Sequence, residues 1–223
     1  MNNTRKLKKY AKELFEQNTA KIDGNNKLVW IADNKNRILN IASSLYLEIP
    51  LCTLPEGSEN LRVFELAQEL VEQSNGIVNA DTVEITRNFS LTFEEFDFLP
   101  VAIKFNLLRL IEKIIKKPEE FENYASNAAK SLILFNEIDF AVLRDRCLPQ
   151  QQLLLQDKGY LMSDESSRDR YRKEIARLAR SSGKSETFVI QKMQKNTLDA
   201  AQQLFGNHRS FFAQSIGAGI LRE

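Results

Sequence analysis

Histidine and cysteine are nearly missing from this chain, which has one His and two Cys in 223 residues. Cys52 and Cys147 have no second Cys or His at ligand spacing. That excludes a zinc framework or a C-x-x-C redox pair and leaves two reduced thiols, as in a cytosolic protein. His208 stands between Asn207 and Arg209 with no ligand-spaced partner, so it reads as a surface histidine. A G-x-S-x-G elbow, a Gly-rich phosphate loop and an H-E-x-x-H helix are absent as well. The adjacent carboxylates Glu94 with Glu95 and Asp164 with Glu165 are of a kind that helical proteins carry in number. No catalytic, cofactor-binding or metal residue is assigned on this basis. No run approaches the roughly 18 consecutive apolar residues of a spanning helix, and the N-terminus lacks a cleavable hydrophobic core. The chain reads as soluble and cytoplasmic.

What is present is a helical pattern with a core. Hydrophobic residues make up 43% of the chain, enough for one large helical domain or two small ones. A net charge of +1 speaks against nucleic acid as a partner of the whole molecule. Apolar residues recur at three-four spacing nearly everywhere, and alternation of period two never persists. The fold class is all-α, an irregular bundle of about eight to eleven helices. No fixed repeat supports a solenoid. The expected helical domain covers 1–206, with a sub-boundary near 117–118, and 207–223 reads as a tail cut off before its partners.

Along the chain, Leu7, Tyr10, Ala11, Leu14 and Phe15 predict a first amphipathic helix, Asp23 to Asn26 a loop, and Lys27 to Leu47 a second helix. Pro50, Pro55 and Gly57 break the chain. Leu61, Phe64, Ala67, Leu70 and Val71 form a third stripe that stops at Asn75 and Gly76, and Asn79 or Asp81 opens a short fourth helix. Thr92 with Glu95 suggests a capping box for one short turn, after which Pro100 opens a strongly apolar helix through Ile115. Pro118 opens the next, carried by Phe121, Tyr124, Ala125, Ala128, Leu132 and Phe135. Short helices are expected around 138–146 and 150–158, with Gly159 closing the second. Ser185 caps a long last helix that reaches Phe205 and stops at Gly206.

The segment from Tyr160 to Gly183, YLMSDESSRDRYRKEIARLARSSG, carries the most information. Ser166 or Ser167 can cap a helix that buries Tyr171, Ile175, Leu178 and Ala179 and stops at Gly183. Its arginines then line the other faces. From Arg168 to Lys195 there are nine Lys or Arg against three Asp or Glu, a surplus of +6. The N-terminal residues Arg5, Lys6, Lys8, Lys9 and Lys12, against Glu13, repeat the bias. Arg168, Arg170, Tyr171, Arg172 and Arg177 are therefore the candidate docking and anion-binding residues, since Arg pairs bidentately with carboxylate and phosphate and Tyr171 offers an interface anchor. An exposed helix laced with weak i to i+4 pairs, such as Asp169 with Lys173, is the plainer reading.

Ala179, Gly183 and Val189 also stand at helix-turn-helix offsets within 171–195, which gives a DNA-binding regulator as an alternative. Against it, Ser182 and Lys184 sit where such a turn buries apolar groups, and Phe188, Val189 and Ile190 run consecutively in the would-be reading helix.

Four blocks in order resemble the N-terminal helical region of the cyclic β-1,2-glucan synthetases, large bacterial membrane glycosyltransferases. They are WIADN at Trp30 to Asn34, LPEGSENLRVFELAQELV at Leu54 to Val71, SLTFEEFDFLPVAIKFNLLRLIEKI at Ser90 to Ile114, and the arginine segment. Ser126, Asn127, Ser131, Leu132, Ile138, Asp139 and Phe140 echo further family positions. The closest match is the pattern Tyr-x-x-Met-Asp-Phe-x-Thr-Arg-Asp-Arg-Tyr-Arg, onto which Tyr160, Asp164, Arg168, Asp169, Arg170, Tyr171 and Arg172 fall. Ser163 and Glu165 replace its Met and Phe, Ile133 replaces an Arg, and Phe140 replaces a Trp, as in a diverged member.

The resemblance implies a place in a machine that polymerises glucose from UDP-glucose into β-1,2-glucan at the bacterial inner membrane. UDP-glucose and a divalent metal would belong to the full-length enzyme, because no D-x-D or Q-x-x-R-W motif lies in this chain. The implied role is a non-catalytic cytoplasmic scaffold or regulatory region at the inner face of that membrane. Its partners would be the remainder of the transferase and the anionic membrane surface. A free-standing helical adaptor is a further alternative.

Overall fold

The computed structural model describes residues 28–48, 59–196 and 198–219. The expected first helix, its loop, the breaks at Pro50, Pro55 and Gly57, and Cys52 lie outside them. The fold is all-α, with 77% helix, 13 α-helices and no strand among the described residues. The number reaches 13 because five helices have only four to six residues. No helix among the described residues is long and apolar enough to cross a membrane.

The chain forms two compact units. The first comprises residues up to Ile85 together with Glu95–Leu143, and positions 117 and 118 fall inside it. Its helices are α1 (Val29–Asp33), α2 (Lys35–Glu48), α3 (Glu59–Gln73), α4 (Ala80–Glu84), α5 (Phe93–Lys116) from Glu95 onward, α6 (Glu122–Leu134) and the start of α7 (Phe140–Cys147). Val63, Ala67, Leu70 and Val71 of α3 and Leu99, Ile103, Leu107 and Ile111 of α5 are buried, as are Ala125, Ala128 and Leu132 of α6. Phe64 meets Phe98 and Phe105 edge to face, with ring centroids 5.4 and 5.3 Å apart.

Pro100 does not open a helix; it lies inside the 24-residue α5. Phe96, Leu99, Ile103 and Leu107 are all buried and continue one three-four stripe across the proline. Burying that stripe outweighs the ladder bond the proline removes, a defect on the order of 3 kcal/mol in an isolated helix interior. Glu95, expected as the far half of a capping box, is buried and accepts from Arg62 Nη1 at 3.2 Å.

One turn of this unit is clasped by a single serine. Ser131 donates its hydroxyl to Gly76 O (2.8 Å) and accepts from the Val78 N–H (2.9 Å). Asn127 Nδ2 donates to Asn75 O nearby. Gly76 has φ +76°, and a Cβ there would come within 3.3 Å of the Ala128 nitrogen, so both the turn and the close approach need glycine. Asp139 Oδ1 caps α7 through the Ala141 and Val142 N–H groups, and the Phe140 ring packs on Phe96 and Phe135.

The second unit comprises Thr86–Glu94 and Arg144–Glu223. After α7 come α8 (Pro149–Leu154), α9 (Lys158–Leu161), α10 (Glu165–Ser182), α11 (Glu186–Gln194), α12 (Ala200–Leu204) and α13 (Arg209–Ser215). Three sequence expectations change here. Gly159 lies inside α9, because Asp157 caps a new turn by accepting from the Tyr160 N–H at 2.8 Å. The cap of α10 is Asp164, which accepts from the Ser167 N–H, so the helix starts at Glu165 rather than after the serines. The expected long last helix stops at Gln194, and a separate turn begins at Ala200, capped by Asp199, with the Gln203 amide donating to Met193 O and Leu198 O. The tail holds α13, whose Phe212 and Ala213 are buried, followed by buried Ile216 and Ala218.

Candidate functional site

Helix α10 follows from its own pattern. Tyr171, Ile175, Leu178 and Ala179 are buried on one stripe. At the end, Gly183 N–H donates to Arg180 O (3.2 Å) and Lys184 N–H to Ala179 O (3.0 Å), with Gly183 in the left-handed region at φ +64°. That crossed pair is the Schellman stop which the glycine foretold.

The arginines do not simply line the outer faces. Arg172 is 3% exposed, and the Tyr160 hydroxyl accepts from its Nη1 at 3.0 Å. The Tyr160 hydroxyl in turn donates to Gln151 Oε1 (3.0 Å), and Gln151 Nε2 donates to Asp145 (2.8 Å). Arg172 Nη2 donates to Glu165 Oε1 at 2.7 Å, an oxygen that also receives Arg144 Nη1 at 3.2 Å. Burial works against the Arg172 charge, but the Tyr160 and Glu165 contacts hold its pKa above the usual guanidinium value.

Arg168 donates from Nε to Tyr160 O and from Nη2 to Leu161 O, at 3.2 and 2.6 Å, with its guanidinium 5.6 Å over the Tyr160 ring. It thereby ties α10 to the last carbonyls of α9. Arg177 forms a bidentate pair with Glu174 at 2.8 and 2.7 Å, and Arg209 of α13 joins the same carboxylate at 3.3 Å. Arg180 pairs with Glu94. Tyr171 is buried between the Tyr160 ring (5.5 Å) and the Phe205 ring (5.2 Å), both edge to face, and burial pushes its hydroxyl pKa up. Of the five candidate residues, only Arg170 is exposed; its guanidinium lies 5.3 Å over the Phe205 ring and makes no hydrogen bond or ion pair among the described residues.

The helix-turn-helix offsets also take shape. Ala179 and Val189 are buried on either side of Gly183, and Ser185 caps α11 by accepting from the Phe188 N–H. Ser182 spends its hydroxyl on Leu178 O, and Lys184 is exposed, so neither locks the turn as an apolar residue would. Glu186, Val189, Ile190 and Met193 form the buried stripe of α11. Phe188, Gln191, Lys192 and Lys195 form the opposite, exposed one.

Several network residues escape a reading by residue type. Glu186 is buried, accepting from the Phe93 N–H (2.9 Å) and Gln150 Nε2 (3.1 Å), while Gln150 also donates to Leu91 O. Its signal was its place on the apolar stripe of its helix. Gln150 and Gln151, beside a run of leucines, carried the same signal.

Among the described residues, no group of three or more His, Cys, Asp or Glu is placed to hold a metal ion. Comparison of the chain with protein families, with curated proteins and with solved structures finds no match.

Proposed function

We propose that this chain is a non-catalytic helical scaffold or regulatory region of a cyclic β-1,2-glucan synthetase-like glucosyltransferase, working at the cytoplasmic face of the bacterial inner membrane. The observation that carries the reading is the use made of the residues that resemble that family. Tyr160, Asp164, Arg168, Tyr171 and Arg172 cap α10, tie it to α9 or pack between α9 and Phe205, and Asp169 pairs with Arg172 and Lys173 along α10 itself. In the first unit Asn127 and Ser131 clasp a turn, Asp139 caps a helix and the half-buried Phe140 stacks on the buried Phe96 and Phe135. A motif whose every member but one builds the fold suits a region that holds and positions other parts. UDP-glucose, the divalent metal and the transfer chemistry belong, in this reading, to the remainder of the enzyme.

The exception, Arg170 with Phe205, is the docking contact. A guanidinium laid on a ring that is itself 39% exposed offers a partner carboxylate two parallel donors beside an apolar edge. Charge reversal at Arg172 would break the buried network around it, so the interface is tested by Arg170→Glu alone, which should abolish β-1,2-glucan synthesis while helicity and melting stay at the wild-type level. Glucan extracted from cells whose gene lacks the segment for this chain should contain no β-1,2-linked product, while wild-type cells make it. Wild-type cells without such glucan, or unchanged synthesis in the deletion, would overturn the proposal.

A further inference from the structure

The outer face of α11 is used by nothing described above. Phe188, Gln191, Lys192 and Lys195 stand at i, i+3, i+4 and i+7 and are all exposed, opposite the buried stripe of the same helix. Lys184, at the turn before the helix, holds its ammonium 5.8 Å over the Phe188 ring. Lys184, Lys192 and Lys195 make no ion pair among the described residues, in contrast to Lys173, which pairs with Asp169 at 2.7 Å. The one acid of α11, Glu186, is buried and held by the Phe93 N–H and Gln150. The face is thus a 40%-exposed phenylalanine among three lysines, with no carboxylate on it.

We propose that this face is a peripheral binding surface for an anionic lipid bilayer, with Phe188 entering the headgroup region and the three lysines meeting lipid phosphates. Of the charge surplus that the sequence assigned to the arginine helix, Arg172, Lys173, Arg177 and Arg180 are paired within the chain, and three exposed lysines without an ion pair among the described residues lie at the turn after it and along the next helix. Three features favour lipid over other polyanions. A phenylalanine at the centre of the stripe gains from an apolar boundary, whereas a groove-reading helix would keep it against water-lined base edges. The cations are lysines, flexible point charges that reach headgroups from a partly inserted helix, rather than the arginines that read guanine bidentately. A nine-residue helix with one exposed stripe is also far short of the roughly 800 Å² per side of a stable protein interface, while a lipid surface needs no fixed epitope. The inference goes beyond the scaffold reading, and its test is independent of it.

Flotation of the full chain with vesicles of equal parts phosphatidylglycerol and phosphatidylcholine, against phosphatidylcholine alone, reads the surface directly. The wild-type chain should float with the anionic vesicles at low ionic strength and detach as salt rises. The triple variant K184E/K192E/K195E should lose about a hundredfold in partition, and Phe188→Ala about tenfold. All four positions are exposed, so both variants should keep wild-type helicity and melting. The basic N-terminal residues supply a background, which makes the difference between wild type and triple variant the decisive reading. Wild-type protein that stays at the bottom, or a triple variant that floats like wild type, would overturn the proposal. Duplex DNA that competes the chain off the vesicles through the same lysines would overturn it in favour of a nucleic-acid face.

Discussion

Arg172 donates to the Tyr160 hydroxyl at 3.0 Å with both side chains buried, which joins α9 to α10 by a charge-assisted hydrogen bond within the motif the sequence singled out. The consequences of removing either partner are unequal. Tyr160→Phe strands a buried guanidinium donor and the Gln151 acceptor together, and should cost about 2 to 4 kcal/mol. Arg172→Met leaves the Tyr160 hydroxyl with Gln151, and the carboxylate it abandons, Glu165, is 60% exposed and keeps Arg144. It should therefore cost less than Tyr160→Phe. Urea unfolding of the two variants gives the order, and the reverse order would contradict the network.

Ser131 satisfies one buried acceptor and one buried donor of the turn it clasps. Ser131→Ala leaves both without their partner at no gain in packing, so a loss of about 2 to 3 kcal/mol is expected in urea unfolding. A loss near zero would mean that the turn is satisfied by another route.

Gly183→Ala isolates backbone strain, because a Cβ there would have nothing within 4 Å while φ is +64°. The expected cost is about 1 kcal/mol, and Gly183→Asn should recover part of it. Thermal melts of the two variants check this, and equal melting of alanine and wild type would contradict it.

The pH dependence has two sides. Hydrogen bonds from the Ser167 N–H and hydroxyl lower the pKa of Asp164, so its contribution is complete above the unfolded value of about 3.9 and fades as pH falls through the lower, folded value. Tyr171 is shifted upward by burial first and by Asp157 and Asp199 second. Its neutral form therefore contributes stability below about pH 10, which is lost as pH rises through the folded value. Melting temperature against pH should flatten on the acid side in Asp164→Asn and on the alkaline side in Tyr171→Phe. Profiles that superpose on wild type would refute the assignments.

Much of this fold is legible in the sequence because periodicity reports burial. The stripe of α10, its stop at Gly183, the Asn79 cap of α4 and the Ser185 cap of α11 all follow from local chemistry. What local rules miss is competition between neighbours. Asp164 outcompetes two serines for the α10 cap, and a long apolar stripe carries α5 through Pro100. The fate of the arginines was hidden for a related reason. A charged residue reads as surface until the partner that pairs it in the interior is known: Tyr160 meets Arg172 only once α9 packs on α10, and Arg209 reaches Glu174 only once α13 does, while Glu165 and Glu174 pair with Arg172 and Arg177 along α10 itself.

The most direct test of the scaffold reading is the apparent mass and cellular fraction of the native protein, detected in lysate with an antibody raised against this chain. The reading predicts a band far above 25.7 kDa in the membrane fraction. A band at 25.7 kDa that stays in the supernatant would contradict it and bring forward the free-standing adaptor.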